Sequence, residues 1–569
     1  MLTINIMKDL NKIFLITCVL FLSASCKDIL DEDAPDYLVN EANVFGDPAL
    51  VRQAVTGMYD PISWGQNTYT SGGFSHSYEF VFGDICSDNA LKGSESSDQV
   101  GIQQLKSFIA EPGNQNVIAV WNKFWAAIAR ANLVIKNIRD ANIPEADKLV
   151  YEGDARFIRA YSYLNLITIF GGQPTFMEPV STDEINARSF SKDPLYINYQ
   201  LIESDLSKAV DLLPTNGVRD PGYATKGAAA AYLSRAIMYQ IGTDNTNEHT
   251  WDEVLEITDS FITGNYGSYA LASNFASIFE LEGENNIESI FEIQAVDNAL
   301  DAGNASTGAQ WTVFQNPQFL SGWGFNTPTA DLANAYEVND PRRPATTLAV
   351  GEYAYGVVMQ TSIRNQTGYY HRKAIAEPDL WVSGTTAGNT EKGSFQNIRK
   401  FRYADVLLMN AEAAFHTNNQ GQAKTRLEEI RNRASGSTYP KGWDITDPFG
   451  YPATGLAPLD NNIVQVASGQ ALLDLIKLER RRELGMETTR FYDLVRWGEY
   501  ENAIRTTYFD EYDASNTGYA NEVASNMLVH SLSSSVKESN EQVIVNTIPL
   551  FPIPGFDAVG WGITQNVGY

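Results

Sequence analysis

The sequence predicts a mostly α-helical protein, in which paired helices support a loop-rich cap that contains short strands and many aromatic residues. Two blocks, about 121–263 and 403–500, carry apolar side chains at intervals of three and four residues. Between them, at about 280–399, turn residues and aromatics replace that periodicity. The chain has 569 residues and 44% hydrophobic content, which is enough to build a large core on this plan.

The N-terminus has the features of a secretory signal that ends at residue 25. Lys8 and Lys12 precede the apolar run 13–22, which is long enough for a signal but too short to span a bilayer. Small residues 23–25 then lead to Cys26, an arrangement that resembles a bacterial lipobox. An ordinary secretory signal cut nearby is the alternative, but only lipidation explains a cysteine at this position.

The remaining cysteines favour packing over chemistry. Cys18 lies in the predicted signal and Cys26 would carry lipid, which leaves Cys86 alone in the mature chain. An intramolecular disulfide is then impossible. A nucleophilic role for Cys86 is the alternative, but a lone small cysteine between Ile85 and Ser87 is typical of a packed interior.

The charge balance excludes two classes of partner. The chain has 69 acidic and 41 basic residues, a formal net charge of −28, and no basic run of any length interrupts the acidic excess. Nucleic acids and anionic membrane surfaces attract proteins through basic patches, so neither is expected to be a partner.

The first helical block contains five segments with the apolar spacing of amphipathic helices. They are 121–138, 147–170, 196–213, 224–239 and 251–263. The second segment stops at Gly171 and Gly172, which disfavour a continued helix. The first two segments are expected to pair as a helical hairpin.

The second block begins with Tyr403–Asn419, followed by a predicted turn at Gln420–Gly421 and a helix over 422–434. Small alanines recur where the helices of such a hairpin meet, and the hairpin has about the length of a tetratricopeptide repeat. We therefore predict tetratricopeptide-like helix pairs. Four pairs are expected, over 121–170, 195–263, 403–434 and 470–500.

Arginines and glutamates cluster in the stretch IKLERRRELGMETTRFYDLVRW, residues 476–497. An anion-binding site is one interpretation of the arginines. We favour partly buried ion pairs that hold a helix corner, because Glu479, Glu483, Glu487 and Asp493 offer each arginine a nearby partner.

Catalytic chemistry has little support in this sequence. The five histidines are scattered, and no HExxH, paired CxxC, GxSxG or phosphate-loop pattern is present. A glycosidase needs only two carboxylates, so that possibility stays open. The loop Asp297–Asp301 could donate oxygens to calcium, but it lacks the EF-hand spacing and is better explained as a turn. No catalytic residue, metal or cofactor is predicted.

Binding of a carbohydrate fits the composition of the cap better. A sugar presents a flat C–H face and a ring of hydroxyls, so its site needs aromatic platforms beside polar side chains. The candidate binding residues are Trp311, Trp323, Trp64, Tyr69, Asp84, Asn89 and Trp381. For each tryptophan, packing in the core is the alternative explanation.

Several blocks of the chain resemble one protein family. They are ERRREL followed by RFYDLVRWG, GDICSDNA at 83–90, the WNKFWAAIARAN helix, the stretch that begins at Gly153, ATKGAAAAYLSRA at 224–236, NIRKFRYADVLLMNAEA, and the terminal FPIP with QNVGY. Together, and in the order in which they follow one another along the chain, these blocks resemble the SusD/RagB family of outer-membrane nutrient-binding lipoproteins. Val567 stands where that family usually has proline.

The resemblance implies a single SusD-like domain over 26–569. Composition places the ligand cap at about 280–399 and in loops of 60–113, and the prolines of the tail over 540–569 predict an extended segment. The resemblance also implies a lipid-anchored protein on the cell surface that hands an oligosaccharide to a TonB-dependent (SusC-like) β-barrel transporter for nutrient uptake. The acidic segment 27–33 resembles a surface-export signal. A RagB-like peptide-binding protein is the alternative function, and a surface glycosidase is the third.

Overall fold

Helices dominate the part of the chain that the structure describes, which confirms the predicted mostly α fold class. The computed structural model describes residues 41–65, 79–95, 97–107, 109–180, 184, 190–295, 310–320, 322–362, 364–365, 367–375, 377, 381–383, 392–394, 396–452, 457–505, 507 and 550–566. Within these ranges, no helix combines the length and the apolar character that crossing a bilayer requires.

The α-helices are α1 Glu41–Gly46, α2 Pro48–Ser63, α3 Val100–Lys106, α4 Gln115–Asn137, α5 Glu145–Phe170, α6 Leu195–Leu212, α7 Lys226–Thr243, α8 Trp251–Ile262, α9 Gln310–Gln315, α10 Ala330–Asn334, α11 Arg342–Thr346, α12 Tyr403–His416, α13 Gln420–Ser435, α14 Asn462–Val466, α15 Gln470–Leu484, α16 Arg490–Arg496, α17 Tyr500–Arg505 and α18 Gly555–Trp561. The strands are β1 Ala90–Gly93, β2 Ser289–Ile293, β3 Phe325–Pro328, β4 Thr347–Ala349, β5 Tyr353–Ala354, β6 Val357–Val358, β7 Tyr369–His371, β8 Trp381–Ser383, β9 Lys392–Ser394 and β10 Ile398–Arg402.

Helix ends differ from the predicted ones where a side chain caps the first turn. Helix α4 begins at Gln115, six residues before the predicted start, because the Asn114 side chain accepts hydrogen bonds from the first backbone amides. In the second block, Asn419 caps α13 in the same way. Gln420–Gly421 is therefore the first turn of α13, and the predicted turn at this place was wrong.

Consecutive helices of the first block pack against one another. Helix α5 contacts both α4 and α6, and α6 contacts α7. The second block joins this stack through α12, which packs on α8, α13 and α15. Both blocks contribute to one hydrophobic cluster that runs from Phe45 to Ile563. The tetratricopeptide-like character of these pairs stays a prediction.

The helices predicted as a pair over 470–500 pack mainly against other parts of the chain. Helix α15 packs on α11, α12 and α13, whereas α16 packs on α7 and on the helical turn Val81–Ile85. These contacts follow from the bulky apolar side chains of α16, since Phe491 and Leu494 are buried. The corner between α15 and α16, which we name the C-terminal corner, thus connects the C-terminal helices to the N-terminal region.

Short antiparallel strand pairs connect the middle region to the rest. Strand β2 pairs with β10, which leads directly into α12. Strand β1, from the N-terminal region, pairs with β3 so that Ala90 lies opposite Pro328. The remaining pairs, β4 with β7, β5 with β6 and β8 with β9, lie within the middle region.

The C-terminal tail returns to the first block, but it is not extended throughout as expected. Phe551 N–H donates to Ile169 O at 3.0 Å, and the Asn566 side chain donates to Phe170 O at 3.0 Å. Between these anchors lies the short helix α18. Its Trp561 packs against Trp121 and Trp125, with ring centroids 5.8 and 5.2 Å away, which a straight tail would not allow.

A buried ion network holds the corner after α15. The Glu483 carboxylate has no exposed side-chain surface and pairs with Arg342 at 3.1 Å, with Arg402 at 3.1 Å and with Arg433. Burial by itself would raise the pKa of Glu483, but the guanidinium groups of Arg433, Arg402 and Arg342 outweigh it and hold this pKa well below its usual range. The carboxylate is therefore charged in the folded protein.

The neighbouring charges are paired in the same way, which confirms the ion-pair interpretation of this stretch. Arg490 makes a bidentate contact to Asp88 at 2.8 Å, and Arg496 pairs with Glu412 at 2.6 and 2.8 Å. Arg480 pairs with Asp405 and with Asp493. Most of these partners are distant in sequence, whereas the sequence interpretation placed them within the stretch itself.

The C-terminal corner also packs closely against the N-terminal region at Gly83. A Cβ atom at this position would lie 2.1 Å from Thr488 O, so only glycine fits against the corner. Next to it, the buried Asp84 accepts a hydrogen bond from Thr488 N–H at 3.0 Å. Burial raises the pKa of Asp84 to about 7, although the Thr488 and Asn326 hydrogen bonds oppose the shift.

Replacing Glu483 with glutamine is expected to destabilise the protein strongly. The substitution leaves Arg342, Arg402 and Arg433 together in the interior without their shared anion, which is expected to cost about 3–5 kcal/mol. The measurement is the free energy of unfolding in urea, followed by circular dichroism. The matched control is Glu41→Gln, which removes a pair to Lys136 whose side chains are 49% and 46% exposed and is expected to cost less than about 1 kcal/mol. Equal losses in the two variants would contradict this account.

Asp84 is expected to make stability fall as pH rises. A carboxyl whose pKa is higher in the folded chain than in the unfolded chain takes up a proton on folding, so its contribution is lost between about pH 4 and pH 7. Asp84→Asn removes this dependence and keeps the hydrogen bond from Thr488. The unfolding free energy of the wild type relative to the variant should fall with pH, by at most about 1.4 kcal/mol per unit. A difference that does not change between pH 4.5 and pH 7.5 would disprove the assignment.

Candidate functional site

Trp311 and Trp323 lie on the two arms of one tight corner. Trp311 is on α9, and Trp323 precedes β3. Trp323 N–H donates to Val313 O at 2.9 Å, and Gly324 N–H donates to Asn316 O at 2.8 Å. These backbone bonds fix the position of one arm against the other. We name residues 310–328 the tryptophan corner.

Each tryptophan of the corner is half-buried and packs against the main core. Phe314 lies behind Trp323, with the rings 5.8 Å apart and nearly perpendicular, and it stacks on Phe325 at 4.2 Å. The core thus holds one side of each indole, and the other part of its surface remains accessible. The sequence left two alternatives for each tryptophan, a sugar-binding platform and packing in the core, and this intermediate burial lies between them.

A hydrogen-bond chain anchors the helix that carries Trp311. Gln315 donates to Trp311 O at 2.9 Å, and its side-chain oxygen accepts from Asn326 at 2.7 Å. The same oxygen lies 2.9 Å from Nδ1 of His371. Because an amide oxygen can only accept, His371 carries its proton on Nδ1. Burial lowers the pKa of His371 to about 3, which keeps the imidazole neutral.

Asp84 and Asn89 lie in the scaffold and not on the exposed polar loop that we expected. Asp84 is fully buried, and Asn89 is 1% exposed. The Asn89 side-chain oxygen accepts from Arg481 at 2.9 Å. Both side chains accept hydrogen bonds from the C-terminal corner, and their local sequence does not reveal this partner. We therefore leave both residues out of the binding surface proposed below.

Trp64 directly follows α2 and is half-buried. Its indole N–H donates to Asp60 at 3.1 Å, and the Arg130 guanidinium lies 5.6 Å from its ring centroid. Asp60 and Arg130 pair at 2.8 Å. Trp64 therefore stands beside a charge pair, and its binding role stays a prediction.

The other predicted site residues lie partly or wholly outside the described ranges. The backbone of Trp381 pairs with Ser394 in the β8–β9 hairpin, but its side chain is outside the described residues. Tyr69, the predicted lipid-bearing Cys26 and the loop Asp297–Asp301 are also outside them. Among the described residues, no group of three or more His, Cys, Asp or Glu side chains could hold a metal ion.

Cys86 is a buried free thiol. Burial raises its pKa to about 12, so the thiol is protonated at neutral pH and is a poor nucleophile. This agrees with the packing role that the sequence favours.

A cleft of about 290 Å³ opens between three elements that the sequence did not bring together. One wall is the end of α2, another is the turn Pro221–Tyr223, and the third is β2 with Gln294. We name it the Tyr223 cleft. The Pro-Gly pair before Tyr223 is a recognisable turn signal, but nothing in the sequence places that turn against α2 or β2.

Comparison with known families matches both ends of the chain. Residues 345–569 match the model described as "SusD family". Residues 28–238 match the model described as "Starch-binding associating with outer membrane", a SusD-like family.

Individual relatives cover most of the chain. A SusD-like protein of Formosa agariphila is 24% identical over 86% of this chain and 90% of its own length. A laminarin-binding SusD-like protein has a solved structure that is 23% identical, covers 92% of this chain and all of its own, and has a TM-score of 0.67. Surface glycan-binding protein A from Bacteroides thetaiotaomicron, solved with laminarihexaose, is 22% identical at the same coverage with a TM-score of 0.68.

These solved structures share the helical fold across more than nine-tenths of the chain. The two family models match separate parts of it, one toward the N-terminus and one toward the C-terminus. With its motifs, its fold and its relatives in agreement, the chain belongs to the SusD/RagB family.

Proposed function

We propose that this protein is a cell-surface lipoprotein that captures an oligosaccharide or polysaccharide and delivers it to a TonB-dependent outer-membrane transporter. The observation that carries the binding part of this proposal is the tryptophan corner. Two half-buried indoles on a fixed corner offer the apolar platforms that the C–H faces of sugar rings require.

The hydrogen-bond chain behind the corner supports the same function. A binding surface that is already ordered loses little conformational entropy when the ligand arrives. Gln315, with Asn326 and His371, holds the Trp311 helix in place from the buried side. Binding and release are then sufficient for the function, and no covalent step is needed.

Relatives support the class of ligand. One neighbour in fold is described as laminarin-binding, and another was solved with laminarihexaose. We infer a glycan ligand for this chain and place β-glucans first in the panel to be tested. The description of the family model that matches residues 28–238 and the lipobox-like site at Cys26 support the outer-membrane location that we propose. The transporter is the partner that membership of the family suggests.

Removing either indole of the corner is expected to weaken glycan binding. Trp311→Ala and Trp323→Ala should each raise the dissociation constant at least about tenfold, which corresponds to about 1.4 kcal/mol. The measurement is isothermal titration calorimetry of the chain from Lys27 onward with laminarihexaose and with a panel of plant, host and microbial glycans. Trp443→Ala is the matched control, because Trp443 is another half-buried tryptophan that packs on Tyr439 and in a separate cluster. Its affinity should stay within about twofold.

The same titration decides between the alternatives. Binding of mixed peptides without any glycan would replace the proposal with a peptide-uptake function. Appearance of shortened glycan products over time would show an enzyme. A glycan affinity that neither tryptophan substitution changes would remove the tryptophan corner from the proposal.

Substitution of Cys26 is expected to abolish lipid attachment. In a Bacteroidetes-type host, Cys26→Ser should eliminate incorporation of labelled palmitate and release the full-length protein from the membrane fraction. Cys18→Ser is the matched control, because Cys18 lies within the predicted signal and should leave labelling unchanged. Labelling that persists in Cys26→Ser would contradict the anchor.

A further inference from the structure

The Tyr223 cleft has the size of a small-molecule pocket. Its volume of about 290 Å³ lies at the lower end of the range for such sites, with space for roughly one or two sugar rings but not for a long chain. The floor contains the buried side chains of Ile62, Phe291 and Ile293. Phe291 is itself packed edge-on against Phe157 at 5.1 Å, so the floor is part of the rigid core.

The aromatic wall of the cleft is held from several sides. The Tyr223 ring meets Tyr59 edge-on at 5.5 Å, and the Arg219 guanidinium lies 4.3 Å from its centroid. The Tyr223 hydroxyl lies 3.0 Å from the Thr56 hydroxyl. Tyr223 therefore presents a half-buried ring in a fixed orientation.

The supports of this wall are themselves locked together. Tyr59 O–H donates to Asp154 at 2.6 Å and accepts from Ala224 N–H at 3.0 Å. Arg219 makes a bidentate contact to the same Asp154 at 3.0 and 2.7 Å. The buried Asp154 carboxylate thus fixes both residues that flank Tyr223, and the cleft is formed before any ligand arrives.

Gly222 allows the turn to pack closely against Gln294, which directly follows β2. Its φ is +96°, and a Cβ atom there would lie 2.6 Å from Cγ of Gln294. Only glycine accepts both this backbone conformation and this close approach. The turn is therefore fitted to the strand and not merely adjacent to it.

The lining of the cleft is partly polar, and each of its two acidic residues lies beside an arginine: Asp60 beside Arg130 at 2.8 Å and Glu292 beside Arg399 at 3.9 Å. Asp60 uses one carboxylate oxygen for Trp64 and Arg130. Its other oxygen accepts no hydrogen bond from the described residues, and the side chain is 38% exposed. Because Arg130 neutralises Asp60, the lining favours a neutral ligand that donates hydroxyl hydrogen bonds over a cation or an anion.

We propose that the Tyr223 cleft is a second carbohydrate site, which accepts one or two neutral sugar rings against Tyr223 and binds their hydroxyls through Asp60. The ligand class rests on the proposed glycan function. The cleft shares no lining residue with the tryptophan corner, so the two sites can be occupied and disabled independently. The volume of the cleft suits short glycans and excludes a long chain.

The test is the stoichiometry of trisaccharide binding, measured by native mass spectrometry with laminaritriose, maltotriose, cellotriose and xylotriose. Wild-type protein should bind two molecules of at least one of these probes. Thr56→Trp places a large side chain at the mouth of the cleft and should reduce the number to one. Tyr223→Ala removes the wall and should do the same. Trp311→Ala with Trp323→Ala should also leave one molecule, bound in the cleft.

The matched control is Thr425→Trp, which puts the same bulk on an exposed threonine of α13 and should leave two molecules bound. Circular dichroism establishes that each variant is folded. One bound molecule in the wild type, unaffected by Thr56→Trp and Tyr223→Ala, would overturn the second site and leave the proposed function standing. Absence of all glycan binding, including to long chains, would overturn both.

Discussion

The structure depends on the buried carboxylate of Glu483. Its three arginine partners come from different parts of the chain: Arg342 from α11, Arg402 from the end of β10 and Arg433 from α13. A buried charge is tolerated only when it is paired. If one of these elements moved away, a charged side chain of the network would lose a partner in the interior, at a large electrostatic cost. The network therefore obliges the second helical block, the middle region and the C-terminal corner to assemble together.

Three consecutive residues, 371–373, link this part of the structure to the tryptophan corner. Lys373 pairs with Glu487 of the C-terminal corner at 2.6 Å, and Arg372 pairs with Glu280 at 2.6 Å. His371, next in the chain, contacts Gln315 behind Trp311. A surface on short strands and turns would be mobile if it stood alone. Here the buried charges anchor it, which is the preorganisation that binding by shape requires.

The helices were largely predictable, and the polar interior was not. Periodicity located α4 to α8, α12 and α15, because apolar spacing reports which face of a helix is buried. It missed the caps at Asn114 and Asn419, and so the first turns of α4 and α13. Asp84 and Asn89 were expected on an exposed loop, since nothing in their local sequence reveals the corner that covers them.

The sequence by itself determined the helical scaffold, the family and the aromatic content of the middle region, because these depend on local spacing and on motifs read in order. Only the tertiary structure decided which arginine meets which carboxylate, and how far Trp311 and Trp323 are buried. It alone formed the Tyr223 cleft, whose walls come from α2, the turn at Tyr223 and β2. The physical reason is that long-range contacts arise from packing of the whole chain, and no local pattern encodes their partners.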